Sequence, residues 1–139
     1  MRQASREFRV PTRGKGLYEF TREVEAWVDE QRMETGLLTM FCRHTSASLV
    51  IQENADPDVQ TDLTTYFEKL APEGRQEYIH TTEGPDDMPA HIRAALTGVQ
   101  LSIPIMGGRL ALGTWQGIYV FEHRRAAQVR RVAAHVLGE

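Results

Sequence analysis

Two short segments concentrate the side chains that could do chemistry. His80-Thr-Thr-Glu-Gly-Pro-Asp-Asp-Met-Pro-Ala-His91 carries two imidazoles, three carboxylates and the backbone breakers Gly84, Pro85 and Pro89. Imidazoles suit zinc and related ions, carboxylates suit magnesium or act as bases, and glycine and proline fix the turn that gathers them. Cys42-Arg-His44-Thr-Ser-Ala-Ser48, running into Ile51-Gln-Glu-Asn-Ala-Asp-Pro-Asp58, adds a further histidine, three carboxylates and several hydroxyls. Neither segment contains His-Glu-x-x-His, a paired Cys-x-x-Cys or an EF-hand calcium loop, so a metal site here would require the segments to converge.

His44, His80 and His91 sit beside turn and cap positions rich in Ser, Thr, Asp and Gly, and are the candidate metal ligands. Glu53, Glu83, Asp86 and Asp87 are the candidate catalytic carboxylates. Asp56 and Asp87 also read as helix caps, whereas Glu53 and Glu83 have no such local role. Arg109 and Arg124 are candidates for an anionic ligand group, and Ser46 for a polar contact to it. Trp115, set between Gly113 and Gly117, reads either as a hairpin anchor or as a stacking wall for an aromatic ligand. His123 lies at a strand end and fits either a structural or a functional role; His135, in an apolar tail, fits a structural or surface one.

These residues need a scaffold, and 139 residues with 41% hydrophobic and 25% charged side chains supply one compact domain, 1–139, with a core. Sixteen basic against nineteen acidic residues, a net charge of -3, give no global field for nucleic acid or an anionic membrane. Cys42 is the single cysteine, so no intrachain disulfide can form, and its apolar setting makes it an inert thiol. No segment approaches the ~18 apolar residues of a membrane span, and a cytoplasmic location is expected.

The spacing of Leu17, Phe20, Val24, Trp27 and Val28 predicts an amphipathic helix closed by Gly36, preceded by a short strand at Phe8-Arg-Val10. Gly36 to Cys42 and Ser48 to Gln52 read as strands on either side of a polar corner. Asp56-Pro57-Asp58 starts a second helix that places Val59, Leu63, Phe67 and Leu70 on one face and stops near Pro72. A third, from Met88-Pro89 to Thr97-Gly98, is expected to bury Ile92, Ala95 and Leu96. Strands follow at Leu101 to Ile105, around the Gly107-Gly108 turn to Leu110-Ala-Leu112, and at Ile118 to Glu122. For residues 128–137, propensity leans to helix and alternation allows a final strand.

The blocks His44 to Asp58, His80 to His91, and Leu112-Gly-Thr-Trp-Gln-Gly-Ile-Tyr119 with Glu122-His-Arg124 together resemble the YjbQ-like family, known as secondary thiamine-phosphate synthase. The resemblance spans nearly the whole chain. It implies an α+β fold, a two-sheet β-sandwich with flanking helices, assembled as a homotrimer, and it implies a strand rather than a helix at the C-terminus. The implied activity joins hydroxymethylpyrimidine diphosphate to thiazole phosphate with release of diphosphate, so a small phosphorylated or heteroaromatic ligand is expected. Asp86, Asp87 or Glu53 would hold magnesium on the diphosphate, Arg109 or Arg124 a phosphate, and Trp115 the pyrimidine. Three histidines suit a different reaction, hydrolysis of a small phosphorylated or amide substrate by a zinc-bound water with Glu53 or Glu83 as base. A trimeric protein that binds a metal or small anion without turnover is the non-enzymatic alternative.

Overall fold

The computed structural model describes residues 1–139. Eight strands and three helices follow one another as β1 (Arg2–Thr12), β2 (Gly16–Glu19), α1 (Thr21–Gln31), β3 (Thr35–Cys42), β4 (Ala47–Glu53), α2 (Pro57–Leu70), α3 (Asp87–Thr97), β5 (Gln100–Met106), β6 (Arg109–Leu110), β7 (Gln116–Glu122) and β8 (Gln128–Gly138). The strands form two antiparallel sheets, a five-stranded one ordered β1-β8-β3-β5-β6 and a three-stranded one ordered β2-β7-β4. No helix is long and apolar enough to cross a membrane.

Period-two patterning makes the sandwich. Phe8 and Val10 of β1, Leu38 and Met40 of β3, Ile103 and Ile105 of β5, and Val132, Ala134 and Val136 of β8 all point inward. They meet Ala47 and Leu49 of β4 and Ile118 and Val120 of β7 from the other sheet. Helix α1 adds Val24, Trp27 and Val28 to the same core, with Phe8 edge-on to both Phe20 and Trp27. In β7 every residue from Gly117 to Glu122 is buried, because the second face of the small sheet is covered as well; Phe67 of α2 packs edge-on against Phe121.

Several sequence expectations are corrected by long-range pairing. The C-terminal run is a strand, as the family resemblance implied and against the helical lean of propensity, in register with β1 along Phe8↔Val132 and with β3 along Met40↔Ala134. The small Ala133 and Ala134 that favour helix locally are tolerated because strands flank β8 on both sides. Partnership with β8 also extends the predicted Phe8–Val10 strand to eleven residues. Leu17 belongs to β2 rather than to α1, which ends at Arg32 in a left-handed conformation. Helix α3 buries Asp87, Pro89, Ala90, Arg93 and Ala94, whereas Ala95 and Leu96 of the predicted face are exposed. Its inward face is thus small and charged, which a hydrophobic stripe cannot reveal.

Candidate metal and anion centre

The α2–α3 connection and the first turn of α3 meet the end of β7. Gly84 adopts a φ of 100°, a left-handed value that suits glycine, and lets the chain turn into Asp86 and Asp87 at the start of α3. Asp87 and His91 are one helical turn apart and share a face. His80 returns from the connection to the same point. His80 Nε2 lies 2.7 Å and His91 Nε2 2.9 Å from the same oxygen, Asp87 Oδ2, and the ring centroids are 5.3 Å apart. These three side chains offer ligand atoms that all lie within 4.8 Å of one another.

The protonation of His91 is constrained from its other side. Its Nδ1 is 2.9 Å from the Thr45 carbonyl, an acceptor only, so Nδ1 carries a proton and donates. In the neutral ring Nε2 is then a lone pair, facing a carboxylate oxygen at 2.9 Å. Two acceptors at that distance require a cation between or beside them, either a second imidazole proton or a metal ion. A histidine that donates one nitrogen to a backbone carbonyl and offers the other is the usual arrangement around a bound metal.

Arg124 fixes the carboxylates from behind. Its Nε donates to Asp86 Oδ2 at 2.9 Å, its Nη1 to Asp87 Oδ1 at 2.7 Å and its Nη2 to the Glu83 carbonyl at 2.9 Å. The Arg125 amide also donates to Asp86. Burial alone would raise the Asp87 carboxyl, but hydrogen bonding to His80 and the charges of His91 and Arg124 outweigh it and hold the group below the ordinary carboxylate range. For Asp86 burial is again outweighed, here by Arg124 and the Arg125 amide. Asp87 is 6% exposed at its side chain against 42% for His80 and 30% for His91, so the anion is sheltered while the imidazoles face solvent. Shallow depressions flank the cluster, one of about 240 Å³ beside His80 and one of about 350 Å³ beside His91.

The remaining candidates disperse. His44 borders the depression next to His91, but its Nε2 accepts the Arg131 amide at 2.7 Å, and it is not among the clustered ligand atoms. Burial, then the charge of Arg130, pushes its imidazole toward the neutral form. Ser46 is buried, its hydroxyl receiving Arg130 Nη2 at 2.9 Å, and serves the interior. Glu53 sits at the far end of β4, opposite Gln116, where its carboxylate accepts the Asp56 amide and helps start α2, the local role that sequence reading denied it. Asp56 caps that helix through the Asp58 amide, as expected, whereas Asp87 caps nothing and belongs to the histidine cluster. Arg109 and Trp115 lie with a separate cavity at the Gln116 end of β7. The Glu83 side chain is exposed and adjoins the cluster through its own backbone.

Beneath the cluster lies a network that residue types alone did not disclose. Glu122, fully buried, receives Arg130 through Nε at 2.7 Å and Nη2 at 2.5 Å, and the Thr12 hydroxyl at 2.6 Å. Its Oε2 also accepts the His123 and Arg124 amides, which sets the backbone from which Arg124 reaches out. His123 Nε2 is 2.7 Å from Ser48 Oγ, and Ser48 meets Thr97 of α3. Burial, with the positive charges of Arg93 and Arg130, lowers the His123 pKa to about 3, so this imidazole is neutral. Glu122 at the end of the apolar run Ile118 to Phe121 offered one signal: a carboxylate closing such a strand needs a buried partner.

A family model described as UPF0047 protein YjbQ-like matches residues 6–139. The chain is 55% identical over 130 residues to a UPF0047 protein from Synechocystis, covering 94% of this chain and 88% of the relative. It is 40% identical to the UPF0047 protein YjbQ from Escherichia coli O157:H7, covering 94% of each. Among solved structures, a conserved hypothetical protein from Thermus thermophilus superposes with a TM-score of 0.84 at 38% identity, over 94% of this chain and 98% of that one. An uncharacterized conserved protein of the YjbQ/UPF0047 family from Clostridium acetobutylicum gives 0.86 at 37%, with the same coverage.

Proposed function

The chain belongs to the YjbQ-like UPF0047 family, and on that footing we propose that it is a metal-dependent enzyme whose His80, Asp87 and His91 hold one divalent transition ion, zinc by preference, for hydrolysis of a small phosphorylated or amide substrate. The observation that carries this reading is the convergence of two imidazole nitrogens on one buried carboxylate oxygen, with His91 Nδ1 committed to a carbonyl. Two histidines and a carboxylate on one side leave coordination positions open toward solvent. A bound ion would supply Lewis acidity and a water of lowered pKa.

The chain's own residues prepare that step. Thr45 fixes the His91 tautomer, Arg124 keeps Asp87 ionised and oriented, and the exposed imidazoles leave the approach open. Glu83, beside the cluster, is the candidate base; Glu53 is at the opposite end of its strand. The test is turnover of p-nitrophenyl phosphate and p-nitroacetanilide by metal-loaded protein. Activity lost in His80→Ala and His91→Ala, and kept in Glu53→Gln, is the expected result. Equal activity in all variants would refute it.

Thiamine-phosphate synthesis is the second reading, favoured by the two depressions that give separate small substrates a place on either side of the cluster. It ranks second because Arg124 holds one oxygen of both Asp86 and Asp87, the carboxylates that would clamp magnesium on a diphosphate. Formation of thiamine phosphate from its two precursors, dependent on His80 and Asp87, would reverse the order. A homotrimer is part of the same proposal. It is supported by the uncovered outer face of the five-stranded sheet, where Leu37, Phe41, Val129 and Leu137 are each 41–56% exposed. Light scattering should find three chains in the wild type and one in Phe41→Lys; a monomeric wild type would remove the trimer.

A further inference from the structure

A separate cavity lies away from the histidine cluster. It measures about 710 Å³ and opens where β4 ends and β7 and α1 begin, lined by Glu19, Arg22, Glu23, Glu25, Arg109 and Trp115 among others. The cluster meets β7 at its Glu122 end and this cavity meets it at Gln116, so the two are separated by the seven-residue strand, on the order of 20 Å.

Its aromatic wall is exposed yet held. Trp115 is 62% exposed, unlike Trp27 in the core at 6%. The turn that carries Trp115 is tied at several points. The Gln116 amide donates to the Gly113 carbonyl, the Gly113 amide to Gln116 Oε1, and the Asn54 amide to the Trp115 carbonyl at 2.9 Å. An exposed indole carried on a turn whose backbone is tied in this way is available to stack on a ligand.

The charge beside it is equally prepared. Glu19 Oε2 accepts the Thr21 hydroxyl at 2.7 Å and the Asn54 side-chain amide at 3.2 Å. Gly117 makes room for it, since a Cβ there would stand 2.5 Å from Glu19 Oε2. None of Glu19, Glu23, Glu25, Arg22 and Arg109 forms an ion pair, and of these five only Glu19 has its side chain anchored by hydrogen bonds. The arginines project as solvated charges, whereas the Glu19 carboxylate is fixed and lacks a cation.

We propose that this cavity is a second binding site, for a small aromatic organic cation whose ring stacks on Trp115 and whose charge faces Glu19, with Glu23 and Glu25 adding field. It is separate from the metal cluster and does not depend on it.

The probes are 1-methylquinolinium and, as an anion of similar size, 2-naphthoate, titrated calorimetrically and followed by the indole N–H signals of Trp27 and Trp115. Expected are saturable binding of the cation, a shift confined to Trp115, and weakening by about fivefold or more in Glu19→Gln and Trp115→Ala. Both positions are exposed, and unchanged unfolding curves confirm that the variants fold. His91→Ala should bind the cation like wild type, so this result stands or falls apart from the metal assignment. Unsaturable heats, equal movement of both indoles, unchanged affinity in Glu19→Gln, or tighter binding of 2-naphthoate through the arginines would each overturn the proposal.

Discussion

The surface cluster of His80, Asp87, His91 and Arg124 and the buried network of Glu122, Arg130, His123 and Ser48 use nearly the same side-chain types a few residues apart, yet they are built for opposite ends. In the network the carboxylate is fully buried and both of its oxygens are filled by fixed donors. In the cluster one carboxylate oxygen is held by Arg124 while the other is shared by two imidazoles that face water. A metal ion can replace protons at the second place and can enter nothing at the first. Access and exchangeable partners, rather than composition, separate a site from a strut.

The comparison is broken most severely from the buried side. Glu122→Ala strands the Arg130 guanidinium in the core and should cost roughly 3–5 kcal/mol, read by denaturant unfolding. A loss near that of an exposed pair, about 0–1 kcal/mol, would mean that water reaches the network.

The second effect is pH-dependent and has a definite sign. His123 stays neutral in the folded chain down to about pH 3, whereas the unfolded chain protonates it near 6.5. The unfolded state therefore binds more protons as pH falls through this window, and stability declines by up to about 1.4 kcal/mol per pH unit. His44, also held below its ordinary value, adds in the same direction. Between pH 6.5 and 4.5, His123→Gln should flatten the slope; an unchanged slope would show that His123 is not the source. Below that window Asp86 and Asp87 contribute too. Their depressed pKa values give stability that is present above the ordinary carboxylate range and lost as pH falls through the folded values.

Smaller again is the effect of Arg124→Ala, which frees Asp87 to turn without touching the imidazoles. Metal affinity should fall by roughly 10–100-fold while the fold persists, checked by competition with a chelating dye. No change would show that Asp87 needs no support, or is no ligand.

What the sequence disclosed follows the range of the interactions. Asp56-Pro57 announced α2 because a cap and a first-turn proline act within three residues. The segment from His80 to His91 announced the cluster because its turn, its helix start and its one-turn Asp87/His91 spacing are all local. Arg124 was expected to take an anionic ligand group, whereas its guanidinium is committed to Asp86 and Asp87, which lie 38 and 37 residues away from it in the chain. The pairing of Arg130 with Glu122 depends on the β7–β8 connection, and that of Arg130 with Ser46 spans 84 residues. His44 was expected in the cluster on residue type. The β8 backbone takes its nitrogen instead, a competition that becomes apparent only once strands are paired. The inward face of α3 was misread for a related reason: Arg93 is buried because the Ala71 carbonyl and Glu68 receive it.

The most direct test is elemental analysis of untagged protein purified without chelator, comparing wild type with His80→Ala, Asp87→Ala, His91→Ala and His44→Ala. The predicted result is close to one transition-metal ion per chain in wild type and in His44→Ala, with loss in the other three. Metal absent from the wild type even after zinc loading, or retained when His80, Asp87 and His91 are each removed, would contradict the metal centre.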